Sequence, residues 1–297
     1  MALHRFSIFL AICTLFLVVA GASVTSNQAG LSVPDWPLSY GQVMPEMTGG
    51  VFFEHGHRMI ASAVGFLTII LAVWLWRSDE RQWVRRLGWA LLAAVIAQGV
   101  LGGMTVLFLL PPAVSISHAC LAQVFFAATV AMTLFTSPGW RQEPVLLADQ
   151  GWPSLRSLAI LTPMLVLLQV ALGAGYRHRA FGIIPHVIGA MFVGAIILMF
   201  AVFVMLQYPN HRALWRSGAA LASIILIQLL LGVVAYFTRI NSLDSPAPEA
   251  AMVWSTVLHV AFGALTMGAT MVTAIQVLRN VAPRAALASG GVQAVSR

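Results

Sequence analysis

Eight apolar runs take up most of the chain, at about 6–24, 53–76, 87–110, 114–136, 157–175, 184–206, 218–237 and 252–278. Each approaches or exceeds the ~20 residues that a helix needs to cross a bilayer. Inside hydrocarbon every backbone N–H and C=O must be satisfied within the protein. The expected fold is therefore an all-α integral membrane protein with eight transmembrane helices. Composition points the same way: 60% of the residues are hydrophobic and only 8% charged, against roughly 25% charged in a soluble domain. No long polar stretch remains for a separate soluble domain. The first run, "RFSIFLAICTLFLVVAGAS", also has the positive start, apolar middle and small-residue end of a signal peptide. Cleavage there would leave seven spans and break the repeat described below.

The formal net charge of +7 comes entirely from Arg, for the chain has no Lys. In a soluble protein such a charge suggests nucleic acid; here it reads as topology. With the N-terminus in the cytoplasm, "WRSDERQWVRR", "WRQEPVLLADQGWPSLR" and "QYPNHRALWRS" lie inside, as do both termini. That places twelve of the sixteen Arg inside and leaves Arg58, Arg177, Arg179 and Arg239 outside, the expected positive-inside bias. The two cysteines, Cys13 and Cys120, lie within apolar runs and read as small packing residues.

An internal repeat organises the spans. "HRMIASAVGFLTIILAVWL" aligns with "HVIGAMFVGAIILMFAVFV", matching His57 and Gly65 to His186 and Gly194. "SHACLAQVFFAAT" aligns with "LHVAFGALTMGAT", matching His118 and Thr129 to His259 and Thr270. The third and seventh spans share Gln98-x-x-x-Gly102 and Gln228-x-x-x-Gly232, and the first and fifth match weakly around Gly21 and Gly173. An even number of spans per unit makes the copies parallel, related by a pseudo-twofold axis along the membrane normal. The expectation is two four-helix bundles, 1–137 and 157–297, joined by a cytoplasmic linker at 138–156.

Four of the eight His fall at equivalent positions of this repeat: His57, His118, His186 and His259. Each lies one or two turns into an even-numbered span, near the outer face. One intramembrane His is often a polar group bonded to a neighbouring helix; four at equivalent positions are a functional signal. Two His per four-helix unit is the ligand count of a six-coordinate heme held between facing helices. Gly102, Gly103, Gly189, Gly232 and Gly263 supply small residues nearby for a heme plane. Zinc fits less well, because no Cys or carboxylate cluster accompanies all four His.

The two copies differ around the first of these His. In "VFFEHGHRMIA", Glu54, His57 and Arg58 share a helix face, while His55 points the opposite way and reads as interfacial. The counterpart of Glu54 is Ile183. One site therefore has a carboxylate one turn from its ligand, able to carry a proton or stabilise developing charge; the other is apolar. The alternative reading of Glu54 and Arg58 is an i,i+4 ion pair closing the span's end. The loop before His57 is also long and holds "GLSVPDWPLSYGQVMP". Its prolines stiffen it, Trp36 and Tyr40 suit an interface, and an ordered loop of this length is usually functional.

"GLSVPDWPLSYG" followed by "EHGHR", then "SHA", "PHVIG" and "LHVAFG", resembles the heme A synthase family of bacteria and mitochondria, from about Gly21 to the last span. The resemblance implies oxidation of the C8 methyl of heme O to a formyl group, giving heme A for cytochrome oxidase. It implies that His57 and His118, with Arg58 beside them, bind the substrate heme in the first half, and that Glu54 is the essential carboxylate. It further implies that His186 and His259 hold a permanent heme b that supplies electrons. Some members carry a cysteine pair in an outer loop, which this chain lacks, so a thiol-dependent step cannot apply here. Expected partners are membrane lipid, a heme O synthase as substrate donor and an electron donor; nucleic acid is not expected, and a homo-oligomer stays open. The expected location is a bacterial inner membrane with both termini cytoplasmic. The competing readings are a non-catalytic di-heme cytochrome b and, more distantly, a heme transporter.

Overall fold

The computed structural model describes residues 1–149 and 151–283. Eight long helices dominate it: α1 (Ala2–Ser26), α2 (Gly49–Ser78), α3 (Gln82–Leu107), α4 (Pro112–Thr136), α5 (Leu155–Arg177), α6 (Ile184–Gln207), α7 (Arg212–Asn241) and α8 (Ala250–Asn280). All eight are long and apolar enough to span a membrane. Much of their apolar surface faces outward, with Phe16, Phe66, Met191, Phe192 and Leu230 each more than 60% exposed. In water that would be an aggregating surface; lipid is the solvent that accommodates it. The chain is thus an all-α multi-pass membrane protein.

Local chemistry sets the helix ends. Proline occupies the first turn of α4 and α6, where its missing N–H is not needed. Ser154 caps α5, its side chain accepting from the Ser157 N–H, and the His211 ring caps α7 by accepting from the Leu214 N–H. The apolar stretch around "FLLPP" predicts a span reaching residue 110. The helix stops at Leu107 because Leu109 and Leu110 both adopt the left-handed conformation, with φ of 58° and 61°. They turn the chain directly into α4.

Helix contacts follow the repeat. α1 packs on α2 and α4, and α3 on α2 and α4; α5 packs on α6 and α8, and α7 on α6 and α8. The two sets meet through α1 with α8, α4 with α8 and α4 with α5. Exchanging α1–α4 for α5–α8 maps this set of contacts onto itself. The buried apolar residues divide similarly. One cluster draws on Leu10, Val64, Leu71, Leu75, Val84, Leu91, Phe125 and Met132. The other draws on α5–α8 and includes Ala127 of α4.

The connection between the halves is more structured than a linker. A 3-10 turn at Pro138–Arg141 leads to β1 (Leu147–Ala148), which pairs in parallel with β2 (Val281–Ala282) just after α8. Tyr208 donates its hydroxyl to the Ala148 carbonyl at 2.8 Å. Arg156 donates to the carbonyls of Leu278 and Val281. Arg279 lies 4.1 Å over the Trp140 ring and donates to the Trp140 carbonyl at 3.0 Å. Hydropathy gives no signal for a two-residue strand, and the partner lies more than 130 residues away.

Candidate heme sites

Each histidine of the repeat sits against a glycine of the preceding helix. His57 faces Gly21, His118 faces Gly102, His186 faces Gly173 and His259 faces Gly232. A β-carbon added at these glycines would lie 3.1, 3.3, 2.9 and 3.1 Å from the ring Cε1, so only glycine lets the ring lie flat on the neighbouring backbone. Each ring also interacts with the backbone carbonyl one turn before its glycine: Leu17, Gln98, Gln169 and Gln228 respectively. The Nδ1 atoms of His57, His118 and His259 are buried without an aligned hydrogen-bond partner. A proton on Nδ1 serves the facing carbonyl and leaves Nε2 as the lone-pair donor, the usual arrangement around a ligating imidazole.

Within each half the two rings come together. The His186 and His259 centroids are 6.2 Å apart with planes at 88°. Two metal–nitrogen bonds of about 2 Å, one from each side of a metal, leave ring centroids roughly 6 Å apart. His57 and His118 are close enough to interact electrostatically. Both pairs therefore offer what a bis-His heme requires: two imidazoles near one another, a glycine behind each ring, and a carbonyl to orient it. Gln169 adds a further anchor, its amide lying 2.9 Å from the His186 Nδ1 and 2.8 Å from its carbonyl oxygen. Gln98 donates to the His118 carbonyl at 2.9 Å.

Of the five glycines expected to make room for a heme, only Gly102 and Gly232 face the imidazoles. Gly103 faces Trp36, Gly189 faces Gln169 and Gly263 faces Gln228. Gly21 and Gly173, noted only as weak repeat matches, complete the set. The missed signal is a shared spacing: Gln169-x-x-x-Gly173 repeats Gln98-x-x-x-Gly102 and Gln228-x-x-x-Gly232.

The first half differs through the loop before α2. Glu54 is only 4% exposed. Its carboxylate accepts from the Val33 N–H at 2.9 Å and from the Arg58 guanidinium at 2.7 Å. Arg58 also donates to the carbonyls of Asp35 and Leu38, both at 2.8 Å, and to the Ser39 hydroxyl at 3.3 Å. Asp35 in turn accepts from the backbone N–H groups of Tyr40 and Gly41. Those bonds close a turn in which both residues have positive φ. The Gly41 N–H, with that of Tyr40 and the Arg58 charge, holds the Asp35 carboxyl below the usual carboxylate range. "PDWPLSYG" is thus a self-bonded cap laid over the start of α2.

His55 is 6% exposed, which corrects its reading as an interfacial residue. The helix does turn it away from His57, but the loop folds over it, and Ser39 Oγ lies 2.8 Å from its Nδ1. Trp36 packs on Gly103, next to the glycine behind His118; a β-carbon at residue 103 would fall 2.6 Å from Trp36 Cδ2. Among the described residues the second half has no such cap. Only residues 178–183 separate α5 from α6, and Ile183 is the N-cap of α6.

These elements define a class: a multi-pass helical membrane protein with one His pair in each set of four helices, one of the pairs covered by an ion-paired loop. Residues 46–185 match the family described as cytochrome oxidase assembly protein, COX15-CtaA. That stretch contains Glu54, His57, Arg58 and His118 and ends one residue before His186. The chain is 24% identical to the heme A synthase of Alkalihalophilus pseudofirmus, over 91% of this chain and 97% of that one. It is 23% identical to the heme A synthase of Bacillus licheniformis, over 81% and 88%. It is 31% identical to that of Symbiobacterium thermophilum, over 60% of each. Along most of its length, therefore, the chain is similar to heme A synthases.

Proposed function

We propose that the protein is a heme A synthase that oxidises the C8 methyl of heme O to a formyl group, with the chemistry in the first half. The observation that carries this reading is the asymmetry between two otherwise matched His pairs. Only the first has a buried carboxylate within one helical turn of a ligand candidate, and only the first is capped.

In this reading His57 and His118 bind the heme substrate. Glu54 holds a proton or a negative charge beside the reacting edge, where an oriented carboxylate contributes most during charge development. The capping loop excludes water, and Arg58 ties it to Glu54, so carboxylate and cap are positioned together. Its guanidinium is already committed to Glu54 and to loop acceptors. We therefore assign it to positioning rather than to direct contact with the substrate. His186 and His259 hold a heme b, which when bound supplies one-electron transfer. The chain divides into two bundles of four helices about an axis along the membrane normal, with the hemes near the outer face of a bacterial membrane. A heme O synthase supplies the substrate, and a separate membrane or soluble reductant supplies electrons.

The test is pigment analysis of the purified protein from a host that makes heme O. Heme A, or partly oxidised heme O, together with heme B is the expected result. Heme B alone, at two per chain, would instead fit the non-catalytic di-heme cytochrome.

A further inference from the structure

The ends of α5 and α7 carry two arginines that the proposed chemistry leaves unused. Arg177 lies four residues beyond Gly173, one turn past the glycine behind His186. Arg239 lies seven residues beyond Gly232, two turns past the glycine behind His259. Both are half-buried, and they stand close enough for each to feel the other's charge. Among the described residues the ion pairs are Glu54 with Arg58 and Asp79 with Arg81, so neither arginine has a carboxylate partner. Arg177 donates to the Thr25 carbonyl at 2.7 Å. Arg239 reaches only the Met252 sulfur, at 4.0 Å. His178 adds no charge at neutral pH, since burial and the neighbouring Arg177 hold its imidazole below the usual range.

Two like charges, partly withdrawn from water and without a counterion, form an incomplete electrostatic arrangement. Planar guanidinium forks match the geometry of carboxylates and phosphates. A heme carries two propionate carboxylates on one edge. We infer that Arg177 and Arg239 form the propionate clamp of the heme held by His186 and His259, an assignment that rests on the reading of that pair as a heme site.

The first half lacks the clamp. The position equivalent to Arg177 is Thr25, and that equivalent to Arg239 is Leu109. Arg58, the arginine near its His pair, is bound to Glu54 and the loop. One half thus anchors its heme by ligands and by charge, and the other by ligands alone. That is the difference expected between a resident cofactor and a substrate that must leave as product. The Arg177–Thr25 bond also joins equivalent positions of the two copies, so the clamp sits at the seam between them.

The test uses the full-length heme-loaded protein in detergent and measures heme B transfer to excess apomyoglobin. It also records the propionate-bending bands by resonance Raman. Arg177→Gln and Arg239→Gln are each expected to speed heme loss by roughly 10- to 150-fold, the effect of losing a hydrogen bond to a charged group. The low-spin bis-His spectrum should persist while the propionate bands shift, a change that a purely structural role would not produce. Arg177→Lys should largely restore retention, and Arg239→Gln carries the test by itself if Arg177→Gln fails to fold. Unchanged propionate bands and heme loss in folded variants would overturn the clamp while leaving the heme site intact. If heme B is absent from the wild-type protein, or survives loss of both His186 and His259, the functional reading fails and the clamp with it.

Discussion

The two halves contain equivalent His–Gly pairings on equivalent helices and differ in what surrounds them. Around His57 and His118 the chain places Glu54, Arg58 and a loop that bonds to itself and to both. Around His186 and His259 it places Ile183, a six-residue connection and two arginines without acidic partners. A duplicated scaffold places a His pair in both copies, and the added or omitted residues decide what surrounds each. Function here lies in the departures from the repeat rather than in the repeat.

The largest test of this contrast is removal of ligands. His186→Ala or His259→Ala should abolish the stable low-spin heme B signal, since a six-coordinate heme loses an axial bond. His57→Ala and His118→Ala should leave that signal and abolish heme A formation. The opposite pattern in optical spectra of the purified variants would reverse the assignment of the halves.

Next in size is Glu54→Gln, which keeps the shape and hydrogen bonding of the side chain but removes its charge and its exchangeable proton. Heme A formation should fall on the order of 10²-fold or more, with heme B and folding unchanged and substrate accumulating on the protein. Normal product formation would reduce Glu54 to an ion-pair partner.

A smaller effect is expected at Gly103, whose repeat counterpart is the half-exposed Val233. Gly103→Ala forces the new methyl against Trp36, and overpacking of this kind costs about 1–3 kcal/mol. The loop should become more sensitive to protease while heme B in the other half is retained. Equal protease resistance would mean that the cap does not depend on Trp36.

The smallest test is pH. The Asp35 carboxyl is held below its ordinary value, so its support of the turn is fully present above the unfolded value of ~3.9. That support is lost only as pH falls through the lowered value. Loop protection should therefore be flat from neutral pH down to about 4 and decline below. Asp35→Asn should remove that decline and loosen the loop at every pH.

How much of this was legible depends on the range of the forces involved. The eight spans were readable because each is a long uninterrupted apolar run, and the four His because polar groups stand out against hydrocarbon. The asymmetry at Glu54 was readable because the repeat supplied its own control at Ile183. The burial of His55 was not, since it comes from a loop folding back through the Ser39 contact. The glycines behind the rings were only partly found, because pairing a glycine on one helix with an imidazole on the next requires knowing their rotation. The helix stop at Leu109 and Leu110 was hidden because leucine has no sequence preference for positive φ.

The strand pair Leu147–Ala148 with Val281–Ala282 has a consequence for biogenesis. A chain emerging in order can close the contacts among α1–α4 once α4 has been made. The second half cannot be finished until α8 and the residues after it have emerged, because Val281–Ala282 pair with the segment before α5. Contacts of such high sequence separation form late. The α1–α8 seam must wait for the same event. The half that lacks the arginine pair is therefore complete in the membrane while the other is still being synthesised, and chaperones or translocation factors that act late will meet a molecule with one finished side.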